Sequence, residues 1–347
     1  MSLQNSGAEK VLDFIRSRLG LNSTQSKTAA VIGLLSLAYT LQKVVTSKPS
    51  RQAKIPAHKE RVVILGATSG IGREIALQYA SRGARVCIVG RRRELVDQVE
   101  AECSALRNSA LGIRGSMYET GRVVFGVVGD FANAADMVRL REVLEKEWNG
   151  LDTLIVSAGV SALRPLMEVA GVESAGERAS LEGIQNAVRV SDAAVKGNFT
   201  GPLVAAVTFI PLLTQTSASP GILLVSSLAA LIPAPTRTLY AATKSASLLL
   251  YQALSIEHPN VTITNVVPST VEGDFRASAV DGGKVREADP SKTGLKRVAV
   301  AKRCIDAVDR REKTVWMPGT MRWAHLLYWF FPTFIEGKAR KKYNFTS

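Results

Sequence analysis

Arg61-Val62-Val63-Ile64-Leu65-Gly66-Ala67-Thr68-Ser69-Gly70-Ile71-Gly72 reads as a buried strand running straight into a glycine turn. An unbroken aliphatic run from Val62 to Leu65 suits a strand covered on both faces, and the stretch from Gly72 to Arg82-Gly83 has helical spacing. Strand, glycine turn and helix in that order let backbone come close to a pyrophosphate and aim helix N-terminal amides at it. A tight turn whose glycines serve packing alone is the competing reading of the same residues.

Outward from this stretch the pattern repeats. Strand-like runs at Arg85–Val89, Val123–Val128, Thr153–Val156, Ile222–Val225, Val261–Val267 and Thr314–Met317 alternate with helical stretches at about Asn133–Glu147, Ser191–Leu213 and Leu239–Glu257. This alternation predicts an α/β fold, a Rossmann-type doubly wound parallel sheet of about seven strands with helices on both faces. In such a sheet ligands bind beyond the carboxyl ends of the strands, and the polar residues that stand out here fall at those ends.

Tyr240 and Lys244 lie four apart on a predicted helix, so their side chains project from one face. A cation beside a phenol favours the phenolate, which suits proton transfer, and the hydroxyl pair Ser226-Ser227 thirteen residues upstream closes a strand where it could bond the same substrate oxygen. Taken alone, Tyr-x-x-x-Lys also fits an ordinary helix surface. After the second strand, Gly90-Arg91-Arg92-Arg93 places arginine where an acidic residue would grip the ribose hydroxyls of NAD, and this favours the extra phosphate of NADP. The alternative is a solvated helix start, although three cations there oppose the helix dipole.

Taken together, the motifs resemble the short-chain dehydrogenase/reductase family over about residues 61–317. In the family's order they are Gly66-x-x-x-Gly70-x-Gly72, Asp130, Ala158-Gly159, Asn198-Phe-x-Gly201-Pro202, Ser227 and Tyr240-x-x-x-Lys244. The resemblance implies an NADP-dependent oxidoreductase acting on CH-OH groups. Tyr240 would be the general acid or base, assisted by Lys244, which would also hold the nicotinamide ribose. Ser227 would polarise the substrate oxygen, and Asn198 would organise a water relay. It further implies that Gly66, Thr68, Ser69, Gly70, Ile71, Gly72, Arg91, Asp130, Ala158, Gly159, Tyr240, Lys244 and Pro268 bind NADP(H), with Arg91 at the 2′-phosphate and Asp130 at the adenine. A helix-kink asparagine and a strand-end turn or helix-cap aspartate are the alternatives for Asn198 and Asp130.

The chain departs from the family pattern in several places. Val156-Ser157 stands where Asn-Asn is usual before Ala158-Gly159, so strand-stabilising amide bonds need a substitute. Gly273 occupies the position of a usual threonine after the sixth strand, which removes a hydroxyl from the nicotinamide carboxamide. The stretches Leu106–Arg122 and Val160–Val190 are long for the family; the second either shapes the substrate entrance or is a surface excursion. Thr270–Arg297, rich in Gly, Asp, Lys and Ser, suits a mobile flap.

With 347 residues, 44 Lys+Arg and 30 Asp+Glu, the chain carries a formal charge of +14. No long basic face is interleaved with aromatics, so nucleic acid is not expected as a partner. Cys87, Cys103 and Cys304 are too few and too far apart for a disulfide framework or a zinc site, and no metal is expected. Residues 1–27 form an amphipathic segment, and residues 28–45, with apolar Ala29–Val45, form an expected uncleaved membrane anchor; lying in the interface or packing on the domain are its alternatives. A linker over residues 46–60 leads to the catalytic domain, residues 61–317. The basic excess after the anchor places that domain on the cytoplasmic side of a membrane, with the endoplasmic reticulum or a lipid droplet expected. Residues 318–347 carry Trp323, Tyr328, Trp329, Phe330, Phe331 and Phe334 next to Lys338-Ala-Arg-Lys-Lys342. That composition fits a bilayer interface, a helix capping the pocket, or a homodimer contact. His325 reads as an interfacial or core residue.

The expected substrate is a lipophilic alcohol or ketone, as in the hydroxysteroid and retinol dehydrogenase-like branch that the chain resembles. A broad carbonyl or 3-oxoacyl reductase for soluble substrates, and an idle membrane scaffold that keeps the fold, are the alternatives.

Overall fold

Branched aliphatic strands alternating with amphipathic helices produce a seven-stranded, all-parallel sheet in the order β3-β2-β1-β4-β5-β6-β7. The computed structural model describes residues 50–116, 121–174, 176–283 and 290–345, together with Phe14, Thr28, Gly33, Leu34 and Leu37. The chain divides into two units, Met1–Pro49 and Ser50–Ser347. In the first, the five described residues are helical, with Phe14, Leu34 and Leu37 exposed. The expected amphipathic segment and anchor otherwise lie outside the described residues.

In the second unit the elements run β1 (Arg61–Leu65), α1 (Gly70–Ser81), β2 (Arg85–Gly90), α2 (Arg93–Ser116), β3 (Val124–Val128), α3 (Ala134–Trp148) and β4 (Thr153–Val156). There follow α4 (Leu166–Val169), α5 (Leu181–Val195), a π-helical segment Lys196–Thr200, α6 (Gly201–Thr216), β5 (Gly221–Val225), α7 (Thr238–Glu257) and β6 (Thr262–Pro268). The last elements are α8 (Pro290–Thr293), α9 (Arg297–Asp309), β7 (Thr314–Met317), α10 (Met321–Phe330) and α11 (Pro332–Lys342).

Successive strand residues point to opposite faces, and each face has its own core. Val62 and Ile64 of β1 pack in one layer with Ile75, Tyr79, Cys103 and Ile305 from α1, α2 and α9. Val63 and Leu65 pack in the other with Leu140, Trp148, Phe209 and Tyr251 from α3, α6 and α7. Strand β1 pairs with both β2 and β4, so the chain changes direction across the sheet there and opens a crevice beyond the strand ends.

Four expectations are corrected. The helix expected at Ser191–Leu213 starts ten residues earlier, because Ser180 caps it: its Oγ accepts from Gly183 N at 3.0 Å. Among the described residues, Leu181–Thr216 is the one helix long and apolar enough to cross a membrane, but its face carrying Phe209 and Leu213 is buried in the core. The stretch Val160–Val190 is a surface excursion only in its later part, where Leu181, Ile184 and Val188 are exposed; its start is tied in, since the Asp281 carboxylate accepts from Leu163 N and Arg164 N at 2.6 and 2.7 Å. The expected flap is tied down where described: Val271 bridges Leu295, and Glu272 accepts from Lys296 Nζ at 2.9 Å and Arg297 N at 3.0 Å; its residues 284–289 lie outside the described residues.

The fourth concerns the expected linker, whose residues 50–60 belong to the second unit. Arg51 is buried beneath the sheet, paired with the Glu60 carboxylate, and donates to the carbonyls of Ser219 and Asp152, both at 2.8 Å. A guanidinium tolerates such burial only when its donors are satisfied, so these residues hold the segment down.

Candidate active site

The glycine turn owes its shape to two crowded approaches. A Cβ at Gly66 (φ +85°) would lie 2.6 Å from Ala158 N, and one at Gly72 would lie 2.1 Å from Gly66 O. Gly70 (φ +58°) differs: no described atom lies within 4 Å of its Cβ position, so its side faces open space at the start of α1. Thr68, Ser69, Gly70 and Ile71 line a cavity of about 1490 Å³, whereas Gly72 does not and acts by packing.

Around that cavity the strand ends bring together the remaining candidates. Arg91 and Arg92, after β2, line it; Arg93 turns away toward Asp97, 3.8 Å off on the surface. Asp130 also lines it, while its Oδ1 accepts from Ala132 N at 3.1 Å and its Oδ2 lies 3.5 Å from Lys196 Nζ. Asp130 is therefore a turn-forming residue as well, and the helix cap of α3 is Asn133. Ala158, Gly159 and Pro268 complete this part of the wall. A Cβ on Gly159 would sit 2.9 Å from Asn198 Oδ1 and 3.2 Å from Lys244 Nζ, so the site has room only for glycine there.

Asn198 lies behind the wall, fully buried in the π-helical segment. Its Oδ1 accepts from Val160 N at 2.9 Å, and its Nδ2 donates to Val160 O at 3.0 Å and Thr243 Oγ1 at 3.1 Å. This amide brackets the chain just after β4, while Ser157 N and Ala158 N at the strand end donate to Leu65 O. π-Helical turns recur at functional sites, where one extra residue re-aims a side chain.

Tyr240, Lys244 and Ser227 meet at the cavity. The ammonium of Lys244 is buried and donates to Val225 O at 3.0 Å; loss of solvation pulls its pKa down to about 8. Ser227 lies two residues beyond β5 with its Oγ accepting from Ala229 N at 3.2 Å, and the neighbouring Ser226 Oγ is buried with no partner among the described residues. A buried hydroxyl without a partner beside a large cavity fits a site built to receive a polar ligand. The open cradle at Gly70, the space kept by Gly159 and this orphan hydroxyl together fit a nicotinamide dinucleotide.

Three features escaped the sequence. The Arg237 guanidinium lies over the Tyr240 ring, 4.3 Å from its centroid, and Phe275 meets that ring edge-on at 6.0 Å. Their positions three residues before and thirty-five residues after Tyr240 gave no signal, since neither follows from helix spacing. Gly273 has φ +112°, a conformation that disfavours side chains, so the missing threonine reflects a backbone requirement, and Thr270 is a hydroxyl residue lining the cavity nearby. The tail is two-sided: Met321, Ala324, Ile335 and Ala339 line the cavity, while Trp323, Trp329, Phe330, Phe331 and Phe334 are exposed. His325 is structural, its Nδ1 bonded to Leu231 O at 3.2 Å and its ring against Trp316.

The family model for short chain dehydrogenases matches residues 60–283. The chain belongs to this family. It is therefore an oxidoreductase with a dehydrogenase fold, and the fold implies a nicotinamide cofactor. It is 28% identical over 274 residues to 11-beta-hydroxysteroid dehydrogenase-like 4A of Arabidopsis thaliana, covering 77% of this chain and 78% of that protein. It is 28% identical over 296 residues to dehydrogenase/reductase SDR family member 7B of Danio rerio, covering 84% of this chain and 85% of that one. A solved alcohol dehydrogenase from Thermococcus sibiricus, complexed with 5-hydroxy-NADP, shares the fold with a TM-score of 0.57 at 21% identity, covering 74% of this chain and 94% of that one.

Proposed function

We propose that this short chain dehydrogenase uses NADP(H) to interconvert a lipophilic alcohol and its ketone, of the steroid, retinoid or acyl-chain class, at the cytoplasmic face of a membrane such as the endoplasmic reticulum. The observation that carries the reading is the continuity of one cavity. It runs from the glycine turn past Tyr240 to the inner face of a tail whose outer face is aromatic and basic.

A bound nicotinamide would supply or accept the hydride. The amides at the start of α1, with Thr68 and Ser69, would hold its pyrophosphate, and Arg91 with Arg92 would favour the extra phosphate of NADP over the plain ribose of NAD. Ser227 donates to the substrate oxygen, and Tyr240 gives that oxygen its proton during reduction or takes it during oxidation. Lys244 puts a positive charge one helical turn from the phenol, where negative charge develops as the proton leaves. Asn198 fixes Val160 and Thr243 behind Gly159, in the wall against which a bound cofactor would lie.

The tail supports the lipophilic part of the reading. Apolar side chains of α10 and α11 wall the substrate end with Lys338 and Lys342 beside them, and the outward aromatics with Arg340 and Lys341 suit an anionic bilayer surface. The hydroxysteroid dehydrogenase-like name of the Arabidopsis relative points the same way.

The test is a panel of steroid, retinoid and long-chain carbonyls and alcohols, with NADPH and NADH in turn, given to the full-length protein in vesicles. Turnover should favour the phosphorylated cofactor and drop about 10²- to 10⁴-fold in Tyr240→Phe with NADPH binding retained. A wild-type rate in Tyr240→Phe, or a preference for NADH, overturns the reading.

A further inference from the structure

We infer that Arg237 is a positioning residue for the proposed proton transfer: its guanidinium stacks on the Tyr240 ring, orients it, and favours negative charge on the phenol oxygen. The inference rests on the role proposed for Tyr240, and nothing in the motif Tyr-x-x-x-Lys anticipates it.

The geometry is built rather than incidental. Arg237 is buried, lines the same cavity as Tyr240, and lies with its Cζ 4.3 Å from the ring centroid. Its Nη2 donates to Ser161 Oγ at 3.2 Å, and Ser161 is itself fully buried, with its carbonyl accepting from Val280 N at 2.9 Å. A guanidinium held by a buried hydroxyl stays over one spot, and Phe275 closes on the ring at 6.0 Å. The arginine reaches this place through a strained residue. Thr236 is β-branched and buried, yet has φ +64°, a left-handed conformation that such side chains rarely adopt. Backbone strain of this kind persists where the surroundings impose it, and it clusters at functional sites. Here it precedes the residue whose side chain covers the phenol.

The chemistry follows from what the two cations can do. Arginine keeps its charge at every pH at which the protein folds. Lys244 does not, since burial brings its pKa down to about 8. As pH rises through that range the lysine charge fades, and Arg237 remains beside the ring as a fixed positive charge. Other charged groups around this cavity are Glu272, Asp274, Arg276 and Arg297 from the segment after β6 and the start of α9, and Lys338 and Lys342 from α11; Arg91, Arg92, Asp130 and Lys196 stand on the cofactor side. Glu272 is held by Lys296 and by Arg297 N. None of these changes when Arg237 alone is replaced.

The test needs no substrate. The phenolate ultraviolet band of position 240 is isolated by subtracting Tyr240→Phe from its parent across a pH titration of the full-length, cofactor-free protein. It is measured in wild type, Arg237→Lys, Arg237→Met and Arg237→Gln. The phenolate should appear about one pH unit higher in the methionine and glutamine variants than in wild type, the scale of a lost nearby charge. The lysine variant should stay near wild type because it keeps the charge. Glutamine preserves a polar partner for Ser161, so it reports on charge even if methionine disturbs folding. Coincident titrations of wild type and Arg237→Gln overturn the inference. Because the readout is a spectrum, it stands or falls separately from the lipid panel: a chain that reduces none of those carbonyls still gives the titration.

Discussion

Lys244 is the residue where the site and the fold are in conflict. A buried ammonium with one carbonyl acceptor at 3.0 Å has lost most of its solvation, so its pKa falls from 10.5 to about 8. Below pH 8 both the folded and the unfolded chain hold this proton, and the full burial cost is present. Between about pH 8 and 10.5 the unfolded chain binds more protons than the folded one, so stability rises with pH across that window. Lys244→Met should accordingly stabilise the cofactor-free protein at pH 7 by up to about 3 kcal/mol, with the gain shrinking toward pH 10.5. Urea denaturation of both proteins at pH 7 and pH 10 checks this, and equal stabilities at pH 7 would show that burial costs the lysine nothing.

Among the elements, the join between α5 and α6 decides the geometry of the wall. Helical periodicity at Ser191–Leu213 predicts an uninterrupted helix, but the turn Lys196–Thr200 is π-helical and carries Asn198 into register with both backbone groups of Val160. Asn198 was legible as a motif residue. A helix kink at this asparagine is the alternative reading of the sequence, but its π form was not legible, because an inserted residue leaves little mark on a helical pattern that is apolar on most sides. Gly201 follows directly, and a Cβ there would meet the Phe131 ring at 2.3 Å. Gly201→Ala should therefore destabilise the protein by about 1–3 kcal/mol through overpacking. It should also weaken NADPH binding, since Phe131 lines the cavity. Thermal unfolding and a fluorescence titration measure the two effects, and an unchanged melting temperature would mean that the ring moves aside freely.

At the scale of the whole molecule, the catalytic unit presents its cavity and its apolar outer surface through one pair of helices. Trp329 is 75% exposed and Phe330 69%, while Ile335 and Ala339 of the adjoining helix face the cavity. Exposed apolar patches of this kind mark contact with a partner or a bilayer, and under the function proposed above this one would seat the substrate end of the enzyme beside the lipid. Replacing Trp329, Phe330, Phe331 and Phe334 by serine should slow turnover of a vesicle-borne long-chain ketone several-fold. A short, water-soluble ketone should be reduced at an unchanged rate. Equal losses on both substrates would assign the aromatics to folding instead.

Elements and motif order were legible because they are local: strand alternation, helical spacing and a glycine turn each lie within a few residues of one another, as do Tyr240 and Lys244. The same local reading placed Arg91, Asp130 and Gly159 at strand ends, where the cavity lies. Only the tertiary structure decided that Arg237 covers the phenol, that Arg51 locks the segment before β1, and that the tail has one face for the cavity and one for the exterior. Each of these depends on loops from distant parts of the chain closing on one another. No periodicity records such meetings, because the free energy that selects them comes from burial and hydrogen bonding across the fold.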